Sequence, residues 1–277
     1  MCDKKIFSHI ISWSGGKDST ATIILFKMHE KELINPGDKV IIVFAEVMFD
    51  AKNNISGHNP QIIDFMHEKA KIFESWGYEV RFLRADGKRK DFLDFFYHTM
   101  GKSRTHPEHE GMTYGFPASG ICGVKRDLKL QPIDKFKRAM EQVEHIDYVG
   151  IAKDEPSRLE SLYKTPNTIS LLDRYGFTEE DAKNLCIEYD MLSPQYSLSE
   201  KFFLGKTQKR DGCWFCPNAK LCEHKAIKEA YPEAWAKYVS LEDEPNVAYP
   251  KWNVFANETL HQRDELLTKG WYQYSLF

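Results

Sequence analysis

Residues 14–20 carry side chains suited to holding a phosphate group. The segment reads Ser-Gly-Gly-Lys-Asp-Ser-Thr and follows an apolar run at 6–13. Gly15 and Gly16 let the backbone approach a ligand closely, and a helix that begins near Asp18 directs its first N–H groups into the turn. Further polar groups come from Ser14, Lys17, Ser19 and Thr20. The composition predicts an anion site, and an ordinary strand-to-helix turn is the alternative.

The common phosphate-binding patterns do not describe this turn. A Walker loop requires G-x-x-x-x-G-K-[ST], but Ile11 occupies the place of its first glycine and Asp18 follows Lys17. The dinucleotide pattern G-x-G-x-x-G is absent as well. Either Asp18 or Ser19 is expected to cap the helix.

A second group of residues could bind metal. Residues 211–224 read D-G-C-W-F-C-P-N-A-K-L-C-E-H, with Cys213 and Cys216 in a C-x-x-C turn and Cys222 shortly after. Such a turn brings two thiolates within reach of one ion. Thiolates suit either a [4Fe–4S] cluster or zinc, and His224 would complete a local Cys3His zinc site. Buried cysteines or a redox dithiol are the alternative interpretation.

Two acidic residues follow the second apolar run. Glu46 and Asp50 lie at or just beyond the carboxyl end of a predicted strand, where ligands bind in open α/β sheets. Either carboxylate could bind Mg²⁺ together with substrate phosphates, and Glu46 could instead contact a ribose. Asp18 is a further magnesium candidate. Loop polarity and helix capping are the simpler explanation for all three.

The 14–20 segment resembles the signature of the PP-loop ATP pyrophosphatase superfamily, S-G-G-x-D-S. The matching positions are Ser14, Gly15, Gly16, Asp18 and Ser19. The resemblance implies a loop that grips the terminal phosphates of ATP, bound with Mg²⁺. Enzymes of this kind transfer AMP to an acceptor oxygen and release pyrophosphate, and some members act on adenylylated sulfate.

A further resemblance points to the phosphoadenosine-phosphosulfate reductase branch. Residues 148–162 are similar to its G-I-x-x-x-E-S-x-R segment, with Gly150, Glu155 and Arg158 at matching positions and Pro156 in place of serine. Residues 116–136 resemble the cysteine-then-basic segment of the same branch. This likeness implies Cys122 as the fourth metal ligand and favours a [4Fe–4S] cluster over Zn²⁺.

One departure concerns the reductive cysteine. Reductases of this branch carry it in E-C-G-[IL]-H near the C-terminus, whereas the last cysteine here is Cys222 and the sequence ends G-W-Y-Q-Y-S-L-F. We therefore expect an ATP-dependent enzyme that adenylates an acceptor, with sulfur transfer to a nucleobase or small molecule as one purpose. Its partners would be an adenine nucleotide, that acceptor, and a sulfur donor or thiol reductant.

Two other functions remain open at this stage. The second is a sulfonucleotide reductase that uses an external thiol. The third is a non-catalytic nucleotide-binding module of a nucleic-acid-modification complex, for which the basic stretches 86–91 and 205–212 are the support. The expected catalytic residues are Lys17, Asp18 and Arg158. The expected nucleotide-binding residues are Ser14, Gly15, Gly16, Lys17, Asp18, Ser19, Thr20, Glu46 and Gly150. The expected metal ligands are Cys122, Cys213, Cys216 and Cys222.

The elements that must position these residues alternate between strand and helix. Predicted strands cover 6–13, 39–47, 78–85 and 146–152, and predicted helices cover 18–34, 59–77, 90–100 and 132–143. Such alternation predicts a doubly wound, mainly parallel, Rossmann-like α/β sheet. Short helical segments follow. We predict a PP-loop nucleotide-binding domain over 1–165 and a helical region with the cysteine cluster over 166–277.

Composition narrows the class of protein. The hydrophobic share of 42% and the charged share of 29% fit a soluble globular chain. A net charge of −3 gives no overall attraction to nucleic acid, so a nucleic-acid partner would need a local basic face. No apolar run reaches membrane-spanning length, and the first residues do not form a signal peptide. A cytoplasmic location is expected, where six cysteines are free, metal-bound or catalytic rather than paired in disulfides.

Overall fold

The computed structural model describes residues 6–117, 122–140, 144–201, 212–254 and 257–269. The strands are β1 (Phe7–Ser12), β2 (Lys39–Ala45), β3 (Met48–Asp50), β4 (Ile55–Ser56), β5 (Glu79–Leu83), β6 (Thr113–Gly115), β7 (Glu144–Tyr148), β8 (Thr168–Ile169) and β9 (Val247–Tyr249). The α-helices are α1 (Lys17–Met28), α2 (Glu30–Leu33), α3 (Pro60–Ser75), α4 (Phe92–Phe96), α5 (Gln131–Arg138), α6 (Pro156–Leu162), α7 (Leu171–Arg174), α8 (Glu179–Glu188), α9 (Leu198–Lys201), α10 (Leu221–Ala230), α11 (Pro232–Ser240) and α12 (Leu260–Lys269).

The chain divides into two interleaved units. The first comprises Met1–Ala45, Gln61–Leu83 and Ile133–Pro194. The second comprises Glu46–Pro60, Arg84–Pro132 and Gln195–Phe277.

This division differs from the predicted boundary at residue 165. Helices α7 and α8 lie beyond that boundary, yet they contribute Leu171, Leu172, Ala182 and Leu185 to the core of the first unit. Burial of these apolar side chains against the sheet and α1 stabilises the first unit, because it removes their surface from water. The first unit is therefore not complete until the chain has passed α8.

The first unit contains a five-stranded sheet in the order β5-β2-β1-β7-β8, and every pairing is parallel. Its central strands are continuous apolar runs, as expected when both faces are covered. Ile11, Ile42 and Phe44 pack into the larger core with α1 and α3. Ile10 and Ile41 face the other way, into a smaller cluster that includes side chains of α5. The prediction of a mainly parallel α/β sheet with helices on both faces is confirmed.

The strand order reverses direction at β1. The chain leaves β1 for β2 and then β5 on one side, and later returns to β7 on the other side. A ligand in an open α/β sheet binds at such a switch point, beyond the carboxyl ends of the two strands that flank it. The loops at 13–16 and 149–155 follow β1 and β7, so both belong to this position.

The second unit has an aromatic core. The Phe49 and Trp214 rings lie 4.6 Å apart, and those of Phe92 and Phe215 lie 4.4 Å apart. Two small sheets accompany this core, the antiparallel pair β3–β4 and the parallel pair β6–β9. The Trp214 indole Nε1 donates to the Ser56 carbonyl at 2.9 Å, which ties the C-x-x-C turn to the end of β4. This bond gives the cysteine segment a fixed place in the unit.

Several helices and strands begin or end at other residues than the sequence predicts. The helix predicted over 18–34 breaks at His29, between α1 and α2. The strand predicted over 146–152 ends at Tyr148, and the helix predicted over 132–143 begins earlier, after a π-helical turn at Lys125–Leu130. Residues 118–121, 141–143 and 205–211 of the segments discussed above lie outside the described residues.

Among the described helices, none has the length and apolar character needed to cross a membrane.

Candidate functional site

The loop between β1 and α1 has the backbone geometry of an anion site. Gly15 has φ +82°, in the left-handed region that favours glycine. Gly16 is the N-cap of α1, and no side chain forms a capping hydrogen bond there. The first amides of a helix have no partner within the helix. Helix amides of this kind, together with the helix dipole, favour a negative group at the start of α1.

Ser14 and Ser19 hold the loop closed. The Ser19 hydroxyl accepts a hydrogen bond from the Ser14 N–H at 3.1 Å and donates to the Gly16 carbonyl at 2.9 Å. The Ser14 and Ser19 Oγ atoms lie 3.1 Å apart, and the Gly16 N–H donates to Ser14 Oγ at 3.4 Å. Ser19 was expected as a helix cap, but its hydroxyl braces the loop instead. This bracing orders the backbone before a ligand arrives, which lowers the entropy cost of binding.

Thr20 faces the protein interior. It is fully buried, and its hydroxyl accepts a hydrogen bond from the Trp13 indole Nε1 at 3.0 Å. The predicted contact of Thr20 with nucleotide stays a prediction, since its hydroxyl is engaged by Trp13 in this structure. Thr20 therefore links α1 to the residue that follows β1.

Lys17 is buried and already paired. Its Nζ lies 2.7 Å from a carboxylate oxygen of Asp18 and 3.1 Å from one of Glu179. Burial lowers the pKa of Lys17, but the bonds to both carboxylates outweigh burial, and the net shift is upward. Lys17 is thus a fixed positive charge at neutral pH.

Asp18 sits among like charges. Burial raises the pKa of Asp18 above its usual value; Lys17 opposes this effect, and the Glu179 and Glu155 carboxylates add to it. Glu179, the first residue of α8, is a site residue that sequence reasoning missed. Nothing local distinguishes it from the other acidic residues of that turn, because its role arises from a contact 162 positions away in sequence.

Gly150 lets the loop after β7 lie against the start of α1. A Cβ atom at this position would lie 2.6 Å from both the Asp18 carbonyl carbon and the Ser19 amide nitrogen. Real Cβ contacts are not that short, so only glycine allows the loop after β7 to lie directly against the first turn of α1. Gly150 therefore sets the spacing at the switch point.

Arg158 forms an ion pair on the surface. Its Nη1 donates to Glu155 Oε1 at 2.5 Å, and the second oxygen of Glu155 accepts from the Ala152 N–H at 3.2 Å. The Arg158 side chain is 56% exposed, so the guanidinium has access to water and to a dissolved anion. Its predicted catalytic role stays a prediction.

Glu46 belongs to the second unit. Its side chain is buried, and one carboxylate oxygen accepts from Arg84 Nε at 2.7 Å. Arg84 also donates to Asn54 at 2.8 Å. Asp50 accepts from the Asn53 backbone and side-chain amides, in a local turn. Glu46 is therefore charge-compensated as it stands, and its contact with nucleotide stays a prediction.

The four cysteines predicted as metal ligands all lie in the second unit. The Cys216 N–H donates to the Cys213 carbonyl at 3.0 Å, which forms the C-x-x-C turn, and Cys222 is in the first turn of α10. Among the described residues, no three of these sulfur atoms lie within 4.8 Å of one another. A tetrahedral zinc ion would hold them about 3.8 Å apart. The cysteines as they stand are not placed for a single zinc ion.

Cys222 is a buried thiol. Burial raises the pKa of Cys222 to about 11, with the neighbouring Glu223 adding to the shift. Binding to a metal requires the thiolate, so metal binding at Cys222 would release a proton near neutral pH. The donor set of soft sulfur atoms beside an apolar core fits an iron–sulfur cluster.

His224 is a core histidine rather than a ligand. It is fully buried; its Nε2 lies 2.9 Å from the Trp214 carbonyl, and its Nδ1 lies 3.5 Å from Arg263. Protonation at Nε2 satisfies both contacts, because Nδ1 then accepts from the guanidinium. Burial, with the Arg263 charge, lowers the pKa of His224 to about 3. Both nitrogens are engaged, so the Cys3His alternative does not fit this arrangement.

The basic stretches receive little support as a nucleic-acid surface. In the first, Arg89 forms an ion pair with Asp127 at 2.9 Å, and Arg126 binds the same carboxylate. Most of the second stretch lies outside the described residues. Nucleic acid stays a predicted partner only.

No family model matches this chain. It is similar to the uncharacterized protein MJ0973 of Methanocaldococcus jannaschii, with 23% identity over 245 residues. The match covers 87% of this chain and 49% of that protein, so the chain spans about half the length of the curated relative it matches.

Two solved structures are also similar. One is the phosphoadenylyl-sulfate reductase from Candida auris, in a phosphate complex, with 10% identity, a TM-score of 0.42, and coverage of 74% of this chain and 81% of that one. The other is the U34-tRNA thiolase NcsA from Methanococcus maripaludis with its [4Fe-4S] cluster, with 14% identity, a TM-score of 0.42, and coverage of 96% and 74%. At this level of similarity, neither structure identifies a reaction for this chain.

Proposed function

We propose that this chain is an ATP-binding enzyme of the PP-loop type that transfers AMP to an acceptor and releases pyrophosphate. One observation carries the proposal. A glycine loop leads into the uncapped N-terminus of α1 at the switch point between β1 and β7, and Gly150 brings the neighbouring loop against it. This arrangement supports the phosphate-binding role that the Ser14–Ser19 motif predicts.

The charges at the loop favour a nucleotide that arrives with a cation. The buried ammonium of Lys17 pairs with the carboxylates of Asp18 and Glu179. The negative charges of Glu179 and Glu155 also raise the pKa of Asp18. Bare polyphosphate would meet more negative than positive charge there. Mg²⁺ takes oxygen ligands from one or two carboxylates and from phosphates. We infer that ATP binds with Mg²⁺, and that Asp18 is the carboxylate closest to the ion.

The proposed reaction is a transfer of AMP by direct attack at the α-phosphorus. An acceptor oxygen attacks the α-phosphorus and forms a new P–O bond, while the bond from that phosphorus to the bridging oxygen of pyrophosphate breaks. Charge accumulates on the departing pyrophosphate, where the α1 amides and Lys17 would stabilise it. The acceptor's proton passes to solvent or to a nearby carboxylate, and no covalent enzyme intermediate is required.

The cysteines extend the proposal. Cys122, Cys213, Cys216 and Cys222 would hold a [4Fe–4S] cluster, because their sulfur atoms offer soft ligands and lie in one unit. When bound, such a cluster would supply structural support or electron transfer, because four thiolates leave no iron open to carry a sulfur atom. If sulfur is transferred after adenylation, the acceptor is a nucleobase or small molecule, and the sulfur comes from a separate donor or thiol. Anaerobic reconstitution with an absorption spectrum and metal analysis tests this assignment.

Nucleotide binding is tested by calorimetry with Mg-ATP, AMP and adenylyl sulfate. We expect Gly150→Ala to weaken Mg-ATP binding at least tenfold, because the new methyl group displaces the first turn of α1. The matched control is Gly87→Ala, since no atom lies within 4 Å of a Cβ added there. Wild-type protein that binds none of the three ligands would refute the proposal, as would equal affinity in both variants.

The reaction itself is tested with radiolabelled ATP and pools of candidate acceptors. We expect pyrophosphate release that depends on the acceptor and on Mg²⁺. Sulfite release from adenylyl sulfate in the presence of a thiol, without pyrophosphate release from ATP, would instead favour the sulfonucleotide reductase. Binding without either reaction would favour the non-catalytic module.

A further inference from the structure

The loop between α4 and β6 is a closed and locally ordered segment of the second unit. The Met100 and Met112 backbones bond across its base, where the Met100 N–H donates to the Met112 carbonyl at 2.9 Å. The Gly111 N–H donates to the Met100 carbonyl at 2.9 Å. Inside the loop, a 3₁₀ turn at Pro107–His109 is closed by a bond from the His109 N–H to the His106 carbonyl at 3.2 Å. The loop backbone therefore fixes residues 106–109 relative to one another.

That turn gathers two imidazoles and one carboxylate. The Glu108 Oε1 atom lies 3.2 Å from His106 Nδ1 and 3.7 Å from His109 Nε2. The two imidazole rings are nearly parallel, 11° apart in plane, with centroids 5.1 Å apart. One ligand atom from each residue lies within 4.8 Å of the others, and no other group of three does so in the described part of the chain.

The distances from Glu108 Oε1 to the two histidine nitrogens are close to those between ligand atoms around one zinc ion. Zinc binds histidine nitrogen at about 2.0–2.1 Å and carboxylate oxygen at about 2.0–2.2 Å. Tetrahedral geometry then sets neighbouring ligand atoms about 3.4 Å apart. The two measured separations, 3.2 and 3.7 Å, fall on either side of that value.

An ordinary hydrogen-bonded cluster accounts for only part of this arrangement. The His106–Glu108 contact has hydrogen-bond length, but 3.7 Å from Glu108 to His109 is too long. Nδ1 of His109 is buried and lacks a hydrogen-bond partner among the described residues. A polar group left in that state costs about 1–3 kcal/mol. A metal bound at Nε2 would keep the proton on Nδ1 and leave this nitrogen without a partner, so the donor-atom distances, and not this nitrogen, indicate a metal.

We propose that His106, Glu108 and His109 bind one Zn²⁺ ion, with water as the fourth ligand. The donor set, two imidazoles and one carboxylate, suits a borderline divalent cation and leaves an exchangeable position. The exposed fractions of the His106 and Glu108 side chains, 51% and 61%, leave room for that water. The ion cross-links the turn to itself. This site shares no residue with the cysteine segment or the phosphate loop.

Site-resolved labelling tests the proposal in the intact protein. The metal-free chain is titrated with Zn²⁺ near pH 7.5, and diethyl pyrocarbonate modification of each histidine is measured by peptide mass spectrometry. Zinc bound by the cysteines does not affect this readout. His261 is the internal control, because it is 53% exposed and pairs with Asp243 at 3.0 Å but belongs to no three-ligand group.

We expect His106 and His109 to become protected together at micromolar Zn²⁺, while His261 stays reactive. Loss of a supporting partner outside the coordination sphere already costs about 10–100-fold in metal affinity. Glu108→Gln, which removes a ligand charge, should therefore weaken protection by at least about tenfold. Unchanged labelling at millimolar Zn²⁺, equal protection of His261, or equal protection in Glu108→Gln would overturn the assignment.

Discussion

The bond between Trp13 and Thr20 gives the sharpest test of how the loop is built. Thr20 is predicted from the sequence as a nucleotide contact, whereas the structure buries it with its hydroxyl 3.0 Å from the Trp13 indole Nε1. Thr20→Val keeps the shape of the side chain and removes the acceptor. The Trp13 N–H, itself in a side chain only 2% exposed, is then left without that partner.

The cost follows from the burial of both groups. An unsatisfied buried donor costs about 1–3 kcal/mol, and water cannot compensate at a position with no exposure. This loss corresponds to a change of roughly 5- to 150-fold in the unfolding equilibrium, since about 1.4 kcal/mol is tenfold. Thr20→Ser retains the hydroxyl and loses one buried methyl group, which costs about 0.8–1.5 kcal/mol and leaves the indole bond in place.

Urea denaturation and nucleotide calorimetry together decide the matter. We expect Thr20→Val to lower the free energy of unfolding by about 1–3 kcal/mol while leaving the Mg-ATP dissociation constant within about twofold. A cycle with Trp13→Phe should show coupling between the two positions, because the double variant leaves no indole donor unpaired. A stable Thr20→Val protein that has lost nucleotide binding would show that Thr20 is a ligand-contacting residue and that the reasoning is wrong.

Three further predictions concern packing, pH and thiol reactivity. Gly57→Ala places a Cβ 2.6 Å from the Val47 carbonyl and 3.0 Å from the Phe215 ring, so thermal unfolding should show a loss of about 1–3 kcal/mol; stability equal to that of Gly87→Ala would contradict this. Burial alone would raise the pKa of Asp38, but bonds from the Phe7 and Asn35 amides and from His9 lower it overall. Its stabilisation is present above the unfolded-state pKa and is lost as pH falls through the lower folded value. Wild-type protein should therefore lose more stability than Asp38→Asn between about pH 5 and 3, and parallel acid profiles would count against this. In metal-free protein, Cys222 should resist iodoacetamide at pH 7 because its pKa is about 11 and it is 3% exposed; peptide mass spectrometry showing rapid, complete labelling would contradict this.

The parallel sheet and the glycine turn before α1 are predictable from the sequence because both depend on local patterns. The uninterrupted apolar run of β2 indicates a strand covered on both faces, and the two glycines mark the turn before α1. The sequence predicts Gly150 as a nucleotide contact, and that role stays a prediction. Its steric role depends on a backbone 132 residues earlier, at Asp18, which no local pattern records.

The roles of some residues, and the bounds of the two units, depend on contacts between distant parts of the chain, so local sequence patterns do not predict them. Glu179 looks like any acidic residue at a helix start until its bond to Lys17 is seen. His224 follows a cysteine pair in the spacing of a zinc ligand, yet the aromatic core of the second unit encloses it. The predicted boundary at residue 165 followed a change in composition, whereas the units are set by which helices cover which apolar faces.

The interleaving of the two units constrains how the chain is made. A ribosome releases the glycine loop and α1 first, but the helices that cover α1 lie as far along as residues 171–188. The nascent first unit must therefore keep part of its apolar surface exposed while the intervening segments 84–132, which belong to the second unit, are synthesised. A fragment that ends at residue 165 would lack α7 and α8 and would expose the apolar surface that these helices cover in the first unit.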